Sequence, residues 1–260
     1  MRCLVTVLLI AGCGTSAPPE PTVAPVPMVP PTPAPVVSVL QGLPCPEQLA
    51  VPDDASAATL TLTAYTCGNH GRLVEARALI DRAYPMAQTD PTTNYVMARI
   101  LLASRQEDGN ACEREAYMDA ILNQLLVAST DPSLRAALTT QDLFAEARPA
   151  LRYRVATGVD LASLTTAQAQ GLRFYSRGNG AYGSAHKLLL APGGVAMYSD
   201  LTVDEDGNAH WHGRRGTYTL QEGALVLDNE TSYAIGANGV LSHGADMVKD
   251  WLDVPSECDG

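Results

Sequence analysis

His210-Trp211-His212 is the spacing in this chain best suited to chemistry. Side chains alternate along a β-strand, so both imidazoles would share one face with Cβ atoms ~7 Å apart. Zinc and copper sites use that separation, and His186 or His243 on a neighbouring strand could add a third ligand. The same alternation also fits Trp211 turned into a core with both histidines in water. Cys67 and His70 would make a thiolate–imidazole pair if the thiol were free, but no motif around them supports it. Asp204-Glu205-Asp206-Gly207-Asn208 has the acidity of a calcium loop without its twelve-residue frame and closing Glu, and reads as a hairpin turn. Gly178-Asn179-Gly180-Ala181-Tyr182-Gly183 spells the dinucleotide fingerprint. Yet Pro192-Gly193-Gly194 stops the chain before a helix could aim its N-terminus at a pyrophosphate. There is no Gly-x-Ser-x-Gly elbow, His-Glu-x-x-His helix or phosphate loop. A pair of hydrolytic carboxylates need not be close in sequence, so a cell-wall hydrolase stays open as a class.

The first residues carry a different kind of chemistry. Arg2 is a positive start, Leu4 to Ala11 is apolar but far too short to span a bilayer, and Ile10-Ala11-Gly12-Cys13 follows. This segment resembles the lipobox of bacterial lipoproteins. The resemblance implies cleavage before Cys13, a diacylglycerol on its sulfur, and a chain held to a membrane by lipid. Gly14 in place of Asp after the cysteine implies, in that family's sorting pattern, the outer membrane facing the periplasm. No later stretch is long and apolar enough for a transmembrane helix.

The formal net charge is −11, and loss of Arg2 with the signal makes it −11 − 1 = −12. Such a chain repels phosphate backbones, so nucleic acid is not expected as a partner. Of six cysteines, Cys3 leaves with the signal and Cys13 takes the lipid. Cys45, Cys67, Cys112 and Cys258 remain, an even number for an oxidising compartment, and two disulfides are expected. Three pairings are open; Cys45–Cys67 with Cys112–Cys258 is favoured because the second bond would tie the tail to the helical part.

Nine of the chain's 18 prolines fall between Ala17 and Val36 (Pro18, Pro19, Pro21, Pro25, Pro27, Pro30, Pro31, Pro33, Pro35). Proline removes the donors that helices and ladders need, so this stretch reads as an extended tether, and about 25 residues at ~3.1 Å each would hold the folded part up to ~80 Å from the lipid. From about Ala55 to Gly158, apolar residues recur three and four apart, as in Leu73, Ala76, Leu79, Ile80 and Ala83. Asp90-Pro91 and Asp131-Pro132 read as N-cap plus first helical residue. Further helices are expected over 113–128, 132–139 and 141–147, with Pro149 opening another. Leu60, Thr63, Ala64 and Cys67, then Gly71-Arg72-Leu73-Val74-Glu75-Ala76 with Ile80 and Ala83, resemble a tetratricopeptide repeat. A second unit near Tyr95, Ala98 and Leu102 fits only with an insertion around 108–110.

After Gly171 the period changes to two. Seven short strands are expected at 172–176, 187–190, 195–198, 209–212, 217–220, 224–227 and 231–235, with turns at Asn179-Gly180, Asp206-Gly207, Glu222-Gly223 and Asn238-Gly239. Seven strands suggest an antiparallel sandwich or small barrel, with 245–252 as a short helix across its end. The expected architecture is therefore α+β: signal peptide 1–12, lipid-anchored tether 13–43, helical domain 44–160, antiparallel β domain 161–260. The leading functional expectation is a non-enzymatic envelope lipoprotein that binds a protein or peptide. A small-ligand or metal carrier, with zinc or copper at His210 and His212, is the runner-up.

Overall fold

The computed structural model describes Cys45 and residues 52–105, 111–176, 186–244 and 250–255, with side chains in the helix over 111–128 described from Tyr117 on. The lipobox with Cys13, the tether, the 178–183 glycine run, Cys258 and the Cys112 side chain lie outside the described residues.

Helix α1 (Ala57–Asn69) starts where the Ser56 hydroxyl accepts the Thr59 N–H, and it ends at a turn through Gly71. Gly71 has φ +75°, a backbone region glycine enters without a Cβ penalty. Helix α2 (Leu73–Ala83) returns along α1 with Ala76 beside Gly68, and Ala64 and Ala76 are both fully buried. Helix α3 (Pro91–Arg105) opens at Asp90, whose carboxylate accepts the Thr93 N–H at 2.7 Å. Helix α4 (Ala111–Ala128) packs along α3. Helix α5 (Pro132–Thr140) opens at Asp131, which accepts the N–H groups of Ser133 and Leu134. Both Asp-Pro pairs thus act as a cap that fills orphan amide donors and a proline that has none to lose. The expected helix over 141–147 is instead a tight 3₁₀ run, Asp142–Ala147, because Phe144 leaves helical geometry (φ −91°, ψ 17°) to bury its ring against Tyr95 at 6.1 Å. Helices α6 (Leu151–Ala156) and α7 (Thr166–Ala169) lead into the sheet.

The sheet is a closed barrel of eight antiparallel strands in simple up-and-down order: β1 (Arg173–Ser176), β2 (His186–Ala191), β3 (Val195–Val203), β4 (Ala209–Gln221), β5 (Ala224–Leu227), β6 (Thr231–Ile235), β7 (Val240–Ser242) and β8 (Trp251–Leu252). Two stretches read from the sequence as separate strands, 209–212 and 217–220, are one continuous strand, β4. Its ladder to β3 runs unbroken from Val203↔Ala209 to Val195↔Thr217. The expected helix over 245–252 is corrected at its end. Trp251 and Leu252 form β8, pairing with both β7 and β1, which would otherwise stand as open edges. Phe174, Leu188, Tyr198, Tyr218, Leu225 and Leu241 are buried inside, the side-chain filling that an eight-stranded barrel has room for.

Helices close one end of the barrel. Leu151 and Ala169 are buried in the barrel core with Leu161 and Leu164 against it, and the Tyr218 hydroxyl donates to the Thr166 carbonyl. In return Val254, just past β8, is buried in the helical core. The expected boundary at residue 160 therefore falls inside shared packing. Arg152 fastens the junction. Its backbone N–H and guanidinium donate to Asp253 at 2.8–3.3 Å, and its other arm reaches Asn123 Oδ1 at 2.8 Å and Asp119 at 2.7 Å. The two charged side chains are 5% and 1% exposed. Burial opposes the charge of Arg152, but Asp253 and Asp119 hold it ionised, while burial pushes the Asp253 carboxyl upward.

Removing one partner of such a pair leaves an uncompensated buried charge. Arg152→Met is expected to cost about 3–5 kcal/mol in urea unfolding. Arg148→Met, which breaks an ion pair to the 97% exposed Asp142, is expected to leave the unfolding midpoint nearly unchanged. Equal midpoints for the two variants would mean that the Arg152 pair does not anchor the junction.

Candidate functional site

Among the described residues, two regions bring polar groups together, apart from a cavity of about 410 Å3 at the junction lined by Arg105, Glu146, Arg173 and Asp253, and a trough on the outer barrel wall. The first is a cleft of about 270 Å3 on the helical part, walled by Tyr65, Gly68 and Asn69 from α1, Leu73 from α2, Val96, Arg99, Ile100 and Ala103 from α3, and Leu143. Gly68 lies in its wall, where a Cβ would meet Ile100 and Ala76 at an ordinary 3.7–3.8 Å. Arg99 lies in the wall between two aromatic rings, its guanidinium carbon 5.1 Å from the Tyr65 centroid and 5.7 Å from that of Tyr95. It donates to the Tyr95 hydroxyl (3.2 Å), Gln141 Oε1 (3.1 Å) and Asn69 Oδ1 (3.0 Å). Every one of these acceptors is neutral, and among the described residues no carboxylate pairs with Arg99. A guanidinium has five N–H donors, so two remain to be offered to a group in the cleft.

The second region is the barrel end that the helices leave uncovered. Four of the chain's five histidines gather there: His186, His210, His212 and His243. The β3–β4 hairpin overshoots the other strands, and a polar network covers its base. Tyr198 and Asp228 share a hydrogen bond of 3.1 Å, Asp228 also accepts the Thr217 N–H at 2.8 Å, and Arg214 lies 3.6 Å over the Tyr198 ring and 3.4 Å from Asp228. Asp200 faces His186 Nδ1 at 2.8 Å. Burial and the Asp228 carboxylate push the Tyr198 phenol far above its ordinary range, so it stays a donor. For Asp228, burial works against the charge, but the bonds from Thr217, Tyr198 and Arg214 outweigh it and hold the carboxyl below its usual value. A methyl group on Gly216 would overlap that carboxylate, which explains a glycine in mid-strand.

His210 and His212 do share a face, but the alternative that turned Trp211 to the core is reversed. The inward register set by Tyr198 and Tyr218 places His210, His212 and Arg214 on the inner side of β4 and Trp211 on the outer side. Because the hairpin projects past the barrel, both faces of this stretch meet solvent. His210 Nε2 is 3.0 Å from Asp204 and His212 Nε2 is 2.9 Å from Thr202, so the two rings take separate partners. His243 Nδ1 faces the Ser232 carbonyl. Among the described residues no group of three His, Cys, Asp or Glu is placed to hold a metal ion. The 204–208 segment is a hairpin turn, the Asp204 carboxylate accepting the backbone N–H groups of Asp206 and Asn208. Cys67 is joined to Cys45 in a disulfide, and His70 Nδ1 contacts the Thr66 carbonyl, so these two do not form a nucleophilic pair.

Arg99 was not visible as a site residue from the sequence. Its one signal is an arginine four residues after Tyr95 on the apolar stretch of α3, with the aromatic partner from α1 thirty-odd positions away.

Asp228 generates a pH prediction. A carboxyl whose pKa is lower folded than unfolded adds stability above the unfolded value and loses it as pH falls through the folded one. The stability difference between the wild type and Asp228→Asn is therefore expected to be full at neutral pH and to shrink on acidification below ~4. A difference that stays constant into acid would show that the carboxylate's charge contributes nothing at this position. The chain matches no family model, no curated protein and no solved structure.

Proposed function

We propose that this chain is a lipid-anchored cell-envelope lipoprotein, non-enzymatic, whose helical part is tetratricopeptide-like and binds a protein or peptide in the Arg99 cleft. The observation that carries this reading is Arg99 itself: a positioned, half-buried cation with neutral partners only, in a chain of net charge −11. Arg72, Arg77, Arg105, Arg148 and Arg152 each pair with a carboxylate, whereas Arg99, like Arg135 and Arg154, meets neutral acceptors. Arg99 lies near two tyrosine rings and lines a cleft of mixed apolar and polar character, with two N–H donors unspent among the described residues. This arrangement suits a carbonyl or carboxylate of an incoming segment, with Leu73, Val96, Ile100 and Leu143 taking its apolar side chains. The buried small residues Ala64 and Ala76 and the Gly71 turn support the repeat-like reading of α1 and α2, and the lipobox residues support the envelope address.

The test is affinity capture from envelope extracts by the full chain, wild type against Arg99→Ala and Arg99→Glu. A charge-assisted hydrogen bond contributes ~1.5–3 kcal/mol, so Arg99→Ala is expected to weaken the captured partner's binding by roughly 10- to 100-fold. Arg99→Glu should abolish it, with the melting midpoint checked for each variant. A partner that survives Arg99→Glu at wild-type affinity sinks the cleft as the binding site.

A further inference from the structure

The outer surface of β1–β4 carries a charge pattern opposite to that of the chain. Alternation sends Arg173 and Tyr175 outward on β1, Lys187 and Leu189 on β2, Met197, Ser199, Leu201 and Val203 on β3, and Trp211, Gly213 and Arg215 on β4. Three cations and no carboxylate project from this face, although the whole chain has 28 acidic residues against 17 basic ones. Arg173 and Arg215 lie within ion-pair distance of no carboxylate among the described residues. Of the five large apolar side chains that the described residues leave exposed, three are here: Met197 (39%), Val203 (38%) and Trp211 (47%).

The strand register arranges these residues. Arg173 pairs with Leu189, Leu189 with Met197, and Met197 with Arg215, so one row across four strands reads cation, apolar, apolar, cation. The next row holds Tyr175, Lys187, Ser199 and Gly213. Ser199 and Gly213 are small, and Lys187 reaches across them to stand 4.1 Å over the Trp211 ring. The result is a trough of about 290 Å3 over β1–β3, continued toward β4 by Gly213, with Trp211 as its far wall. Nothing in the fold requires that glycine. Its φ is not positive, and a Cβ there would meet only the Tyr198 carbonyl, at an ordinary 3.8 Å.

We propose that this face docks an extended acidic segment of a protein partner, laid across the strands with an apolar side chain on Leu189 and Met197 and a carboxylate on each flanking arginine. Three inter-strand spacings put Arg173 and Arg215 ~14 Å apart across the backbone, and a segment following the outer curve of the closed barrel needs roughly twice that length, about eight extended residues. The recognised pattern is therefore two acidic residues about eight apart with apolar residues midway. A membrane of anionic lipid fits the surface less well. The hairpin tip beyond Trp211 carries Asp204, Glu205 and Asp206, which such a membrane repels.

The experiment measures fluorescence anisotropy of a labelled peptide, bearing two glutamates about eight residues apart and leucines midway, against the full chain. Saturable binding that weakens with salt is expected, and the same peptide with glutamines should bind at least about fivefold more weakly. Arg173→Glu and Arg215→Glu should each weaken it by about fivefold or more. Gly213→Val, which fills the trough while raising strand propensity, should weaken it with no fall in melting midpoint. Arg99→Glu should leave it unchanged, which separates this surface from the helical cleft. The proposal is overturned if the glutamine peptide binds equally well, or if both arginine reversals bind as the wild type does. It is also overturned if vesicles of phosphatidylglycerol and phosphatidylcholine are bound and the peptide is not.

Discussion

The ion pair between Arg152 and Asp253 is the constraint on which the rest of the molecule depends. Burying both charges costs several kcal/mol per ion, and mutual attraction alone rarely recovers it. Here the cost is offset by count and geometry. Asp253 accepts the backbone N–H and two guanidinium nitrogens of Arg152, and Arg152 spends its remaining arm on Asn123 and Asp119. A hydrophobic pair of the same volume would pack as well, but it would not specify which turn of α6 meets the end of β8. The pair specifies it, across 101 residues of sequence. The Asp253 N–H also bonds to the Gly239 carbonyl, and a Cβ at Gly239 would overlap the Asp253 carboxylate. The last strand, only two residues long, is thus held by Asp253 just beyond it as well as by its ladders to β1 and β7.

From that clamp the placement of every exposed surface follows. With the helices seated over one end of the barrel, the β3–β4 hairpin projects from the other, and its outer face stays clear of the helical core. The polar network of Tyr198, Arg214 and Asp228 closes the free end from within. Asp228 takes φ +54° to reach it, a conformation Asp tolerates better than most residues and one that three hydrogen bonds sustain.

Local chemistry in the sequence was enough to mark most elements. The two Asp-Pro caps, the Gly71 turn and the period-two strands after Gly171 all depend on neighbours within a few residues, and so they were legible. The features that escaped depended on distance or on context. Gly213 and Gly216 look like a break between two strands, but one is unconstrained and the other makes way for Asp228, so β4 runs through both. Trp211 is outward because the register is fixed by Tyr198 and Tyr218, farther down the strands, and a large indole carries no information about which side that is. Strands β7 and β8 are too short to show a period. The cleft was hidden for the same reason as the clamp: Tyr65, Arg99 and Gln141 converge only after three helical segments have packed.

Both proposed surfaces present cations on an acidic protein, and this combination sets how they must work. At a net charge of −11, the long-range field repels an acidic partner rather than steering it. At physiological ionic strength that field decays over ~8 Å, so repulsion fades outside contact range while Arg99, Arg173 and Arg215 act only within it. Association through such patches is therefore not accelerated by charge. The apolar floor beside each cation, Val96 and Ile100 in the cleft and Leu189 and Met197 on the barrel, has to hold the partner long enough for the carboxylates to find their places. Charge in this design selects among partners already touching the surface, and it does so by geometry: one fixed guanidinium between two tyrosines in the first case, two arginines a set distance apart in the second.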